Sequence, residues 1–260
     1  NTIAEQITNS TSQGQVEVLS SLDRSGTGVA SSSITVNKQS LATTAQVAGT
    51  VAQSATTIAA GAITANTNTI AATAGATESF GIQGDTATAE RQGNRVLAGD
   101  TFTLAATFFD KLSTGAGTDI SDPVVYVAKA GDSTMDIAKG LADRVNMALA
   151  EAGYDDQFVA NAVDDGDGTA QFTITNNSGV AGTAAFAAAD FVVTTGGTSG
   201  GGLDLLANLD VSSEGGAKAA LIAIEGLIQT TVDAGAAFGT SEKRIGIQAD
   251  FVSKLTDSLK

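Results

Sequence analysis

With 260 residues and 42% apolar side chains the chain can bury a core and hold two domains, which excludes a disordered polypeptide. A net charge of −15 argues against a nucleic-acid partner and against an anionic membrane surface, since both demand Lys and Arg. With no His and no Cys, disulfides, thiolate metal sites and the common catalytic sets are absent; no catalytic residue and no cofactor is expected.

Aromatic residues make up only 5% and Trp is missing, so a chain rich in Ala, Thr, Ser and Gly is expected to pack mostly with small side chains. No run of about 18 consecutive apolar residues exists, and Asn1-Thr2-Ile3 opens the chain without a leader pattern; neither a membrane span nor a signal peptide is expected. Residues 1 to 40 are polar and turn-rich, with a periodic segment Ile3 to Ile7, an apolar patch at Val16-Glu17-Val18-Leu19 and a break at Ser25-Gly26-Thr27-Gly28. Short helix and short strand both fit.

Residues 41 to 76 are low in complexity, with larger apolars at Leu41, Val47, Val51, Ile58, Ile63 and Ile70. Their spacing predicts a helix held by packing, the internal candidate for an antiparallel partner of the C-terminal helix, although Thr, Gly49 and Gly61 weaken it. Residues 77 to 100, with Gly81, Gly84, Gly93 and Gly99, read as a crossing between domains.

A different texture follows. Thr101 to Phe109 alternates as a half-buried strand, and Val124 to Val127 is a second strand after the Asp122-Pro123 turn. Ser133 caps a helix with Asp136 as its capping-box partner; Ile137, Leu141, Val145 and Leu149 share one face, and Gly153 ends it. Gln157 to Val163 and Ala170 to Thr175 form a hairpin around an acidic turn, a last strand spans Phe186 to Thr194, and the glycines of 196 to 202 read as a linker. Residues 95 to 200 carry 14 acidic and 5 basic residues, a net charge of −9, which suits a solvent-facing inserted domain.

Asp164, Asp165 and Asp167 supply the oxygen ligands that Ca²⁺ uses, but the bidentate Glu and spacing of a calcium loop are missing. A turn built on Asp-Gly accounts for the same residues and is preferred. Asn9-Ser10-Thr11 and Asn176-Asn177-Ser178 match the N-glycosylation pattern, a match frequent by chance.

From Ala217 to Lys260 runs the longest regular apolar pattern. Ala217, Ile224, Thr231, Phe238, Ile245, Val252 and Leu259 recur every seventh residue, flanked by a row Ala220, Leu227, Ala234, Ser241, Gln248 and Leu255. Leu221 and Ile228 widen the seam. A helix of roughly 65 Å follows, one that needs a partner along its length. The seam still runs where the sequence stops, so a longer parent chain is expected. Gly226, Gly235, Gly239 and Gly246 each cost about 1 kcal/mol against Ala in such a helix, explained either by close helix approach or by local breaks.

Phe238-Gly239-Thr240-Ser241-Glu242-Lys243-Arg244-Ile245 resembles the Leu-Gly-x-x-Gln-Asn-Arg-Leu segment of bacterial flagellins, with Gly239, Arg244 and Ile245 matching in kind. Ile247 to Leu259, and Leu203 to Ile228 before it, look like the alphaproteobacterial version. The resemblance implies an α+β protein: a long antiparallel helical rod domain from residues 1–94 and 201–260, with a small α+β outer domain, 95–200, inserted. It further implies a non-enzymatic, secreted filament subunit for motility that partners itself head-to-tail, monomeric when cut short of its terminal helices. A cell-surface adhesin or carbohydrate-binding module is the rival from another class, with a hook-associated or phage tail protein as a third reading.

Overall fold

A computed structural model describes residues 15–23, 30–37, 40–52, 63–64, 71–82, 96–112, 120–166, 168–182 and 184–258. The fold is mixed α+β, with small antiparallel sheets and a long C-terminal helix. The chain divides into two compact units, Thr43–Gly200 with Asp204–Gly226, and Asn1–Ala42 with Gly201–Leu203 and Leu227–Lys260. The stretch expected to form an inserted domain from residue 95 is thus joined by residues from Thr43 onward.

The larger unit contains two four-stranded antiparallel sheets. In the first, β3 (Val51–Ala52), β10 (Phe191–Thr195), β6 (Thr101–Leu104) and β7 (Val124–Val127) lie in that order, leaving β7 at an edge. In the second the order is β4 (Ile63–Thr64), β5 (Ala76–Ile82), β9 (Ala170–Asn176) and β8 (Phe158–Asp164).

The helix expected over 41 to 76 is not what the described part of that stretch forms. Residues 40 to 50 form no helix and hold one isolated bridge at Val47, and β3 and β4 follow. Thr-rich, glycine-interrupted chain has little helix propensity to offer, and here its backbone groups find sheet partners instead. Val47 and Thr198 exchange both backbone hydrogen bonds at 2.9 Å, and the Gly49 N–H donates to the Thr101 hydroxyl at 2.9 Å. Likewise the crossing expected over 77 to 100 begins as a central strand: β5 pairs along its length with β9, from Ala76↔Asn176 to Ile82↔Ala170, and buries Phe80.

The strand expected over 101 to 109 stops at Leu104. Phe108 and Phe109 are adjacent and both buried, whereas neighbouring strand residues point to opposite faces. A short helix, α1 (Ala106–Asp110), turns both rings inward. It is fastened by Asp190, whose carboxylate accepts from the Thr107 hydroxyl at 2.9 Å and from the Lys111 ammonium. Asp190 closes a short 3-10 turn, Ala188–Asp190, so β10 begins at Phe191 rather than at Phe186.

The core is aromatic rather than small. Phe80 lies 4.6 to 6.0 Å, centre to centre, from Phe108, Phe172, Phe186 and Phe191. Few aromatics suffice because they gather in one place, where each ring buries a large apolar area.

Helix α2 (Thr134–Glu151) begins as the sequence predicts. The Ser133 hydroxyl accepts from the Asp136 N–H, and the Asp136 carboxylate accepts from the Ser133 N–H. Ile137, Leu141, Val145 and Leu149 are buried, the helix packs on β7, β8 and β9, and Gly153 turns the chain away at φ +78°.

The glycines of 196 to 202 are no loose linker. A Cβ on Gly197 would collide with Thr101 and Val127, and one on Gly200 with the backbone of Thr44 and Gln46. Their purpose is close backbone approach.

In the smaller unit β1 (Gln15–Asp23) and β2 (Ala30–Asn37) form an antiparallel hairpin, irregular between Leu19 and Ser21, with Ile34 and Val36 buried. Of the two readings left open, strand is the one found at Val16 to Leu19, while Ile3 to Ile7 and the break at Ser25 to Gly28 lie outside the described residues. The Gly202 N–H donates to the Ser40 carbonyl at 2.7 Å and that of Leu203 to the Ala42 carbonyl at 3.1 Å. The remainder of this unit is the distal part of helix α3 (Glu214–Ser258).

Candidate assembly surface on the long helix

Helix α3 starts three residues before the expected Ala217, where the Ser213 hydroxyl accepts from the Gly216 N–H at 2.9 Å as a cap. It runs unbroken through all four glycines, so they do not mark breaks. Nor do they serve close packing among the described residues: a Cβ at Gly235, Gly239 or Gly246 would meet nothing within 4 Å, and one at Gly226 only the Asp143 carboxylate at 3.6 Å.

The buried face is not the seam that the sequence suggests. Ala217, Ile224 and Thr231 are exposed, Phe238 and Ile245 are half-buried, Val252 is exposed again, and Leu259 lies outside the described residues. Leu221 and Ile228 are also exposed, at 68% and 60%. The flanking row is the one covered: Ala220, Leu227 and Ala234 are buried, Ser241 and Gln248 half-buried, and Leu255 exposed. The reason is geometric, because a strict seven-residue row drifts by about 20° per heptad around a straight helix. A row that starts at Ala217 on the solvent side therefore reaches the covered side only near Phe238.

In the larger unit, the proximal segment of α3 approaches α2 at two small residues. A side chain on Gly215 would collide with the carbonyls of Ala150 and Glu151, and Gly226 faces Asp143, so the two helices run antiparallel. Lys218 adds an ion pair to Asp155 at 3.1 Å. Asp155 holds the Lys218 ammonium above its usual range.

In the distal segment the solvent side is apolar and then bare. Ile228, Val232, Gly235, Gly239 and Gly246 follow at steps of three, four or seven residues, so they share one stripe, and all are exposed. Past Gln248 every described residue of the helix is exposed, including Phe251, Val252 and Leu255. Of the residues that carry the family likeness, Gly239 and Arg244 are exposed and Ile245 is half-buried. An 18-residue window of α3 reaches a mean hydropathy of 1.3, so by length and composition one helix could cross a bilayer, which the sequence reading did not expect.

The acidic turn holds its carboxylates to itself. Asp164 accepts from the Gly166 N–H at 2.8 Å, and Asp165 from the Thr169 hydroxyl and the Gln171 amide. Gly166 and Gly168 adopt φ of +79° and +88°, the backbone for which the turn uses glycine. Asp167 lies outside the described residues. Among the described residues no three carboxylates are grouped to hold a metal ion. Asn176 is fully buried, its amide donating to the carbonyls of Ala71 and Val180, which leaves no room for a glycan there. The other N-glycosylation match, at Asn9, lies outside the described residues.

A polar cluster that the sequence does not announce lies beside β7. The Arg144 guanidinium pairs with Asp204 at 2.5 Å and sits 5.2 Å above the Tyr126 ring. The Tyr126 hydroxyl donates to Asp132 at 2.8 Å. Burial pushes the Tyr126 phenol well above its ordinary range, with the Asp132 charge adding to it, and burial raises Asp132 as well. Nearby, an open cleft of about 820 Å³ lies between the edge of β7 and the α2 face bearing Arg144, Met147, Ala148 and Glu151. Nothing in the sequence could pair Arg144 with Asp204, or Gln46 with β7, across such separations.

No protein-family model matches the chain, and no curated protein matches it.

Proposed function

We propose that the chain is a structural, non-enzymatic subunit of an extracellular helical filament of the flagellin kind, whose long helix contributes to contacts between copies. The single observation that carries this reading is that the apolar row of α3 outruns its cover. Leu227 is 7% exposed, while past Gln248 the described helix is exposed on every side, its apolar residues Phe251, Val252 and Leu255 at 58%, 45% and 48%. An apolar row left uncovered on a helix is the physical mark of a surface that another helix closes. The likeness of Phe238 to Ile245 to flagellin names the kind of assembly, a head-to-tail helical stack. In this reading the long helix belongs to a rod and the acidic, aromatic-cored unit is the outer domain. Charge on that unit keeps neighbouring copies soluble and spaced.

Bare glycines on the stripe support the same reading. They are unused within the described chain, and small residues at helical spacing permit backbone contact with a second helix. The test is electron microscopy of the assembled protein carrying Val252→Ser and Leu255→Ser. Loss or distortion of filaments with an unchanged subunit fold is expected, and filaments identical to wild type would overturn the reading.

A further inference from the structure

We propose that the cleft beside β7 is a docking site for an extended peptide segment that carries a basic residue next to an apolar one. The proposal is independent of the filament reading, since the cleft lies wholly within the larger unit.

Strand β7 ends its sheet, so one row of its backbone groups faces away from β6. Ala128 bonds inward to Asp100, which places the N–H and C=O of Val125 and Val127 on the outer side. Gln46 already occupies half of that edge. Its side-chain amide donates to the Val125 carbonyl at 2.5 Å and accepts from the Val127 N–H at 2.9 Å. One carboxamide thereby makes the pair of bonds that one residue of a parallel strand would make.

The next register along the edge is the Pro123 carbonyl and the Val125 N–H. Neither is bonded to a described residue, and Pro123 and Val125 both line the cleft. An incoming backbone continuing the sense that Gln46 sets would donate to Pro123 and accept from Val125. Proline at this place removes the next donor and limits the addition to a short one, so side chains must supply the rest.

They are suited to one kind of partner. Opposite the strand edge, Met147 and Ala148 line the cleft with apolar surface, each one helical turn from Glu151. Asp122 stands on the strand side. Both carboxylates are exposed, and the Arg144 charge is already taken up by Asp204, so among the described residues the unpaired charge bordering the cleft is negative. A Lys or Arg of the segment would meet it, with an alternate apolar residue against Met147.

The test uses fluorescent hexapeptides of alternating valine and lysine, or valine and glutamate, titrated into the whole chain with polarisation as readout. Nitrogen-15 NMR follows the Val125 amide. The lysine peptide should bind about tenfold tighter than the glutamate one, and lose about tenfold in the double variant Asp122→Asn, Glu151→Gln. It should also shift the Val125 amide, and methylating the central peptide nitrogen should abolish that shift. Absence of saturable binding, binding indifferent to the double variant, or binding that leaves Val125 unmoved would each overturn the proposal. A Val125 shift that grows with protein concentration alone would also overturn it, naming a second copy as the occupant.

Discussion

The ring of Tyr126 lies against the Cα of Gly140 so closely that a methyl group on Gly140 would collide with the ring edge. A strand residue and a helix residue are thus locked together, with Arg144 above the same ring and Asp132 holding its hydroxyl. Gly140→Ala should destabilise the chain by about 1–3 kcal/mol, the usual cost of overpacking, and so outweigh the gain of about 1 kcal/mol that Ala brings to a helix interior. Urea unfolding measures it; a variant more stable than wild type would show that the ring can step aside.

The glycines of α3 should behave in the opposite way. Gly235→Ala, Gly239→Ala and Gly246→Ala meet nothing within 4 Å, so each should stabilise the isolated chain by up to about 1 kcal/mol. If α3 joins copies as proposed, the same methyl groups would stand between packed helices in the assembly. Altered filament shape, together with a higher melting temperature of the free subunit, is then the expected pair of results.

Acid should attack the fastening of α1. Burial alone would raise the Asp190 carboxyl, but hydrogen bonds from Lys111, the Ala187 N–H and Thr107 outweigh it and hold the group below its usual 3.8. A carboxyl with a lowered folded-state pKa stabilises the fold above the unfolded value, and that stability is lost as pH falls through the folded one. The advantage of wild type over Asp190→Asn should therefore be full near neutrality and shrink below about pH 3.8. Thermal unfolding from pH 7 to pH 2 reads it, and a gap that widens on acidification would contradict the assignment.

These cases show which parts of the fold were legible in the residues. The capping box at Ser133, the core face from Ile137 to Leu149 and the hairpin around Asp165 are written in spacings of a few residues, and all are found. What depends on distant partners was not legible. Extended chain near Val47 is chosen by Thr198, α1 by the need to bury Phe108 and Phe109 together, and the glycines of 196 to 202 by backbones from another part of the chain. For α3 the sequence carried the helix and both rows, but a repeat of seven cannot say which row is covered until its drift around the helix is anchored at one buried residue.

Asn176 should prove structural. Its side-chain amide donates to Ala71 and Val180 carbonyls, at 2.9 and 2.6 Å, while its oxygen accepts from Ser178. Asn176→Ala takes the donors from the Ala71 and Val180 carbonyls and the acceptor from Ser178, and should cost about 1–2 kcal/mol. Asn176→Asp should cost no less, since a carboxylate would face two carbonyl oxygens. Denaturant titration of both variants decides it, and a loss under about 0.5 kcal/mol in either would mean that the loop re-pairs.

Leu227 and Leu255 offer the sharpest contrast, being the same residue type on the same helical row. Leu227 is enclosed, so Leu227→Ala should cost the isolated chain about 2–5 kcal/mol in transfer and cavity terms. Leu255 has no such cover, and Leu255→Ala should change stability by less than about 0.5 kcal/mol. If α3 joins copies through its distal row, the ranking inverts in the assembled state. Leu255→Ala would then lower filament stability against heat or dilution while the free subunit melts as wild type. Equal loss in both states would place the cover of Leu255 within a single copy, and no loss in either would leave the distal row outside the contact.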